Sequence, residues 1–262
     1  MAEPQIRFDD GAGYERMMGT WSRYAGEIFL DWLKPAAGLR WVDIGCGNGA
    51  FTELLAARCA PAEIQGVDPS DAQLDFARSR HKAGIAQFQS GDAMALPFPD
   101  NSFDAAVMAL VIFFVPEPPR GVAEMARVVR PGGLVASYAW DIEGGGFPLE
   151  PVLAEVRAMG FPPIRPPSFT AARMENLRAL WRGADLDDIE TREINVQRTF
   201  ADFEDFWSTT LLGASLKATV ATMTPEQVAA LKTRTRDRLA AHHSGPITTH
   251  AGANAIKGRV AV

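Results

Sequence analysis

The residues that first suggest chemistry are Val42-Asp43-Ile44-Gly45-Cys46-Gly47-Asn48-Gly49. Glycines at alternate positions suit a turn in which the backbone bends sharply and a ligand approaches the main chain, because no Cβ stands in the way. A helix that begins directly after such a turn presents N–H groups with no partner of their own. A second acid, Asp68, follows 23 residues after Gly45, at the end of another short apolar run. In an open α/β sheet that position faces the ribose of a nucleotide-like cofactor. A carboxylate there can accept hydrogen bonds from two vicinal hydroxyls. The simpler reading of Asp68 is an acid at a helix N-terminus, and that of Asp43 is a group that bonds the turn backbone. Neither excludes the functional one.

Two cofactor classes fit this pattern. A dinucleotide site carries G-x-G-x-x-G, whose third glycine lets the helix pack close beneath a pyrophosphate. Here the spacing is G-x-G-x-G, with Asp43 in front. A negative group beside the turn suits a ligand with positive charge, such as the amino group and sulfonium of S-adenosylmethionine. Cys46 has no basic neighbour to make it a thiolate, so it reads as a small buried residue. His242-His243 lacks metal-ligand spacing with a nearby carboxylate or cysteine, and no metal site is expected.

These residues need elements to hold them. From residue 40 the chain alternates strand and helix. Strands are expected at 41–44, 63–67, 85–89, 103–110 and 134–140. Helices are expected at 51–59, from the capping pattern Ser70-x-x-Gln73 to about 81, and at 122–129, with Arg130-Pro131-Gly132-Gly133 as a sharp turn. That order predicts a doubly wound, mostly parallel sheet with helices on both faces. Before it, Ile28, Phe29, Trp32 and Leu33 share a helical face. After it, helices are expected at 171–182, 203–212 and 225–241, and strands at 189–200 and from 247 onward. Gly144-Gly145-Gly146 and the proline-rich stretch 161–167 read as loops around a site rather than domain boundaries.

The motifs, taken in order, resemble those of the class I S-adenosylmethionine-dependent methyltransferases, in the subgroup that includes the ubiquinone/menaquinone-biosynthesis enzymes. The resemblance covers residues 14–140. Residues 42–49 match the family's first motif and Gly66-Val67-Asp68-Pro69-Ser70 the second, whose acid binds the ribose. Gly91-Asp92-Ala93-Met94-Ala95-Leu96-Pro97-Phe98 matches the adenine segment. Residues 102–107 and 130–133 match the fourth strand and the turn before the fifth. The resemblance implies a Rossmann-like seven-stranded sheet with a reversed last strand, residues 189–200 and 248–260 being the final pair. It implies a cofactor set of Tyr14, Trp21, Asp43, Gly45, Cys46, Gly47, Asp68, Pro69, Asp92, Ala93 and Ala109. In one place the chain departs from the subgroup. Leu110-Val111-Ile112-Phe113-Phe114 replaces a polar or histidine-bearing stretch, which argues against N-methylation of nucleic-acid bases or protein amides.

Composition narrows the partners. The chain has 262 residues, 47% hydrophobic and 22% charged, with a net charge of −6 and two cysteines. An acidic chain without a basic run is a poor fit to nucleic acid, and two cysteines fit a reducing compartment. The longest apolar run, 105–115, is 11 residues, well short of the ~20 that span a bilayer. With no apolar leader at residues 1–10, the expected location is the cytoplasm. One domain is expected over 1–262, with an arm at 1–39, a cofactor-binding core at 40–140, and a remainder at 141–262 carrying a helical insertion at 201–245. Tyr14, Arg16, Met17 and Trp21 read either as a packed helix or as a mobile lid with few contacts of its own. Phe200, Phe203, Phe206 and Trp207 read as core before substrate box, and Arg234, Arg236 and Arg238 as a solvated face.

The expected activity is methyl transfer from S-adenosylmethionine to a small-molecule acceptor, with no catalytic residue named. Two alternatives stay open. One is a protein that binds S-adenosylmethionine or S-adenosylhomocysteine without transferring a methyl group. The other is an NAD-dependent oxidoreductase, which the glycine spacing and the missing Tyr-x-x-x-Lys motif count against.

Overall fold

Each short β-rich run between helical stretches becomes a strand of one sheet. The structure is a computed structural model that describes residues 15–81, 84–162, 164–240 and 245–262. Its strands are β1 (Arg40–Ile44), β2 (Glu63–Asp68), β3 (Ala86–Ser90), β4 (Phe103–Ala109), β5 (Val129–Trp140), β6 (Leu186–Phe200) and β7 (Ile247–Val260). They lie in the order β3-β2-β1-β4-β5-β7-β6. Strands β1 to β5 are parallel, and β7 runs antiparallel to β5. This is the expected seven-stranded sheet with its last strand reversed. The winding changes direction at β1, between β2 and β4, which opens a crevice at the carboxyl ends of the strands.

The helices are α1 (Thr20–Leu33), α2 (Ala50–Cys59), α3 (Asp71–Arg80), α4 (Pro118–Val128), α5 (Glu150–Ala158), α6 (Met174–Gly183), α7 (Phe203–Thr210), α8 (Ala214–Val220) and α9 (Pro225–Arg238). The chain divides into two compact units: residues 22–144, 167–194 and 253–262 form one, and residues up to 21, 145–166 and 195–252 form the other. Of the five places where it passes between them, two, 144/145 and 166/167, fall inside the breaker stretches read above as loops rather than boundaries, so these stretches are also where the units meet in the chain.

The first unit holds β1 to β5. Trp41, Ile44, Ile64, Val67 and Met108 are fully buried. Ala105, Ala106, Val107 and Met108 are all buried, as a continuous apolar strand covered on both faces requires. Phe29 of α1 and Phe51 of α2 meet Tyr138 of β5, with ring centroids 4.6 and 5.7 Å apart. Trp181 of α6 is buried and its indole N–H donates to the Val135 carbonyl at 3.2 Å. Arg130 to Gly133 differ from the expected turn. They remain within the span of β5 as a bulge, because Phe103 pairs with Val129 and Ala105 already pairs with Leu134.

The second unit contains two helices that the pattern reading missed, α5 and α8. Pro151 sits in the first turn of α5, where its missing N–H costs nothing. Val152, Leu153 and Val156 form the buried stripe that marks it. Phe200, Phe203, Phe206 and Trp207 are buried against one another, so the core reading holds.

The arginines of α9 are half solvated, as expected, but they are also paired. Arg234 and Arg238 each donate to Glu155 of α5 at 2.7 Å, and Arg236 donates to Glu204. The Glu155 side chain is only 8% exposed. Burial pushes its carboxyl up, but the two guanidiniums outweigh burial and hold it below the usual glutamate range. Glu155→Gln keeps the shape and removes the charge. It is expected to lower unfolding free energy by about 1–2 kcal/mol, since the arginines stay half solvated. An unchanged urea midpoint would show that the clamp contributes nothing.

Candidate cofactor site

Residues 45–49 connect β1 to α2 as a turn held by three other elements. Gly45 and Cys46 donate their N–H groups to the Val67 carbonyl at 2.7 and 3.0 Å. Gly47 donates to the Asp68 carboxylate at 2.9 Å. Two glycines do different work here. At Gly45, with φ +71°, a Cβ would lie 2.5 Å from both methyls of Val111. At Gly47, with φ +54°, a Cβ would meet nothing within 4 Å. The turn is therefore closed against protein at Gly45 and open at Gly47, which is what a ligand resting on the backbone needs.

The acids behave differently from each other. Asp68 closes β2 and is 9% exposed. One of its oxygens accepts from Gly47 and the other from the Ser70 N–H at 2.9 Å. Burial pushes its carboxyl up, and these two backbone donors pull it back. Each oxygen retains a second lone pair. Asp43 is 1% exposed. It bonds a side chain rather than the turn backbone: the Thr52 hydroxyl of α2 donates to it at 2.6 Å. Its other oxygen is buried without a hydrogen-bond partner. Burial raises its pKa to about 7, with the Thr52 bond opposing the rise and the Asp68 charge adding to it. Cys46 is buried, and burial next to both acids pushes its thiol far up, so it is no nucleophile.

Beyond β3 the chain carries Asp92 and Ala93 in a tight loop. Asp92 accepts from the Met94 N–H at 2.8 Å and is exposed, and Ala93 is half-buried. The Gly91 N–H ties this loop to the Asp68 carbonyl at 3.3 Å. Two residues that the sequence did not flag hold it to α4. Glu124 accepts from the Leu96 N–H, and Arg127 donates to the carbonyls of Leu96 and Phe98 and to Asp100. Ala109 ends β4 opposite Tyr138. The next residue, Leu110, takes φ +63°, a left-handed conformation that a branched side chain rarely adopts. It delivers Val111 onto Gly45.

Asp43, Gly45, Cys46, Gly47 and Asp68 are thus brought together at one end of the sheet, with Pro69 following on the exposed side. Trp21 belongs to the other compact unit and is 2% exposed, so its ring is covered by protein. Tyr14 lies outside the described residues. For residues 15–21, read above as either a packed helix or a lid, the structure shows packed contacts. Glu15–Gly19 is a π-helical turn with Met17 and Met18 buried, and the Arg198 guanidinium donates to the Arg16 and Met17 carbonyls.

Residues 42–137 match the methyltransferase domain family. This segment resembles a methyltransferase domain. It runs from β1 to the middle of β5 and contains the glycine turn, Asp68 and the Asp92 loop. Over 114 residues the chain is 35% identical to a fatty-acid O-methyltransferase of Mycolicibacterium smegmatis, covering 43% of this chain and 42% of that one. Over 120 residues it is 38% identical to a demethylmenaquinone methyltransferase of Symbiobacterium thermophilum, covering 44% and 47%. The chain spans less than half the length of these relatives. The solved YcgJ protein of Bacillus subtilis shares the fold, with a TM-score of 0.62 at 17% identity over 92% of this chain and 99% of that one. Among the described residues no helix is long and apolar enough to cross a membrane.

Proposed function

We propose that the chain transfers a methyl group from S-adenosylmethionine to a small-molecule acceptor and releases S-adenosylhomocysteine. The observation that carries this reading is the open backbone at Gly47, whose N–H is bonded to the buried Asp68 carboxylate. In it, Asp68 accepts the ribose hydroxyls through its remaining lone pairs, beside Pro69. Gly45, Cys46 and Gly47 offer main chain to the cofactor. The negative charge available at Asp43 favours its cationic amino acid end. Asp92 and Ala93 border the adenine, and Ala109 marks the end of β4 beside the reacting end.

When bound, the sulfonium supplies a methyl carbon already activated for in-line displacement. The chain's own residues then need only position and desolvate. Ile112 and Phe113, buried behind the half-buried Val111, supply no acid or base. No catalytic base is assigned. The acceptor is read as a small metabolite rather than nucleic acid, in keeping with the net charge of −6, and the setting as cytoplasmic.

Calorimetry on the purified chain is expected to show binding of S-adenosylhomocysteine and S-adenosylmethionine in preference to NAD. NAD binding with no heat from S-adenosylhomocysteine would sink the reading. Turnover of methyl-labelled cofactor with a metabolite mixture separates a transferase from a protein that only binds.

A further inference from the structure

The glycine turn is pinned from three directions, and the third involves a residue that the reading above does not use. Asp68 at the end of β2 holds the N–H of Gly47, and Val111 beyond β4 packs on Gly45. From α3 comes His81. We propose that His81 is a positioning residue for the cofactor turn, holding the Gly49 carbonyl and thereby setting the direction of the first N–H groups of α2. The inference rests on the cofactor reading above.

The geometry is specific. His81 is the C-terminal cap of α3, and its backbone N–H donates to Ala77 at 3.1 Å. Its Nε2 lies 3.1 Å from the Gly49 carbonyl oxygen. A carbonyl only accepts, so the pairing assigns the proton to Nε2. The same carbonyl accepts the Glu53 N–H at 2.9 Å, the first bond of α2. Two donors on one oxygen fix the carbonyl's direction more tightly than the helical bond alone. Gly49 needs such an outside hold. It caps α2 in a left-handed conformation, φ 78° and ψ 13°, with no side chain to bond the helix end.

The ring is itself held. It packs on Phe88 of β3 with centroids 5.2 Å apart. A Cβ on Gly49 would stand 3.1 Å from Nε2, so the ring and the glycine are in contact. The neighbouring Arg80 pairs with Glu53 at 3.0 Å, in the first turn of α2. The end of α3 thus grips the start of α2 at two points, and His81 is the point on the turn itself.

The test compares wild type, His81→Ala, His81→Phe and His81→Gln in the full chain. The readouts are calorimetric S-adenosylhomocysteine binding and thermal melting without ligand. Phe keeps the ring against Phe88 and loses the donor, whereas Gln restores an N–H near the position of Nε2. Ala and Phe are expected to raise the dissociation constant about tenfold, the weight of one hydrogen bond. Gln is expected to stay within about threefold of wild type. If Ala fails to fold, the Phe and Gln pair still decides. Wild-type affinity in His81→Phe would overturn the assignment, leaving ring packing as the whole role. So would a Gln variant that melts like wild type yet binds no better than Phe. A wild type that does not bind S-adenosylhomocysteine overturns the cofactor reading itself, and the His81 assignment falls with it.

Discussion

Replacing Asp68 with Ala should raise the dissociation constant for S-adenosylhomocysteine by about a hundredfold while the sheet stays folded. Each hydrogen bond to a charged group is worth roughly 1.5–3 kcal/mol. In the proposed site the variant loses two of them to the ribose, so about a hundredfold is the low end of the expectation. The variant also leaves the Gly47 and Ser70 N–H groups without their carboxylate. Some loss of melting temperature is therefore expected in the free protein. Asp68→Asn, which keeps an acceptor and removes the charge, should fall between the two. Calorimetry on all three chains measures the effect. A change under about threefold for the alanine variant would place Asp68 away from the ribose.

The second large effect is a pH dependence of stability that comes from Asp43. Burial raises its carboxyl from 3.8 to about 7, against the Thr52 hydrogen bond and with help from the Asp68 charge. The native state therefore keeps a proton that the unfolded chain releases between about pH 4 and pH 7. For an acid shifted upward, the native protonated form is favoured at low pH, and that advantage disappears as pH rises to 7. At roughly 1.4 kcal/mol per pH unit, the contribution amounts to something on the order of 4 kcal/mol. Asp43→Asn cannot titrate and should lack this slope. Urea unfolding of both chains at pH 4.5 and pH 8 tests it, because the other carboxylates are common to both and cancel in the difference. Parallel pH profiles would mean that Asp43 titrates as an ordinary carboxylate. The same charge that weakens the free protein above pH 7 is one that a cationic ligand would offset.

The parts of this protein that were legible in the sequence are local ones. The glycine turn was readable because its spacing and the apolar run before it lie within eight consecutive residues. The parallel sheet was readable because strands and helices alternate in chain order, and the right-handed crossover leaves few other arrangements. Helices α5 and α8 were missed for a local reason too. They are short, 9 and 7 residues, and breakers surround the first, so two turns of periodicity were too little signal.

What only the tertiary structure decided are the contacts that hold the candidate site. Thr52, rather than the turn backbone, bonds Asp43, and nothing in the motif distinguishes those partners. Val111 stands on Gly45 because β4 lies beside β1 in the sheet, not because of any spacing between them. His81 reaches Gly49 across 32 residues, and Arg127 reaches Leu96 across 31. Glu155 gathers Arg234 and Arg238 from 79 and 83 residues away, so that a half-solvated face is also a clamp. Sequence periodicity records which face of an element is apolar, because burial acts on every residue of that face. A single long-range hydrogen bond leaves no such repeat, so its partners appear only when the sheet order sets them side by side.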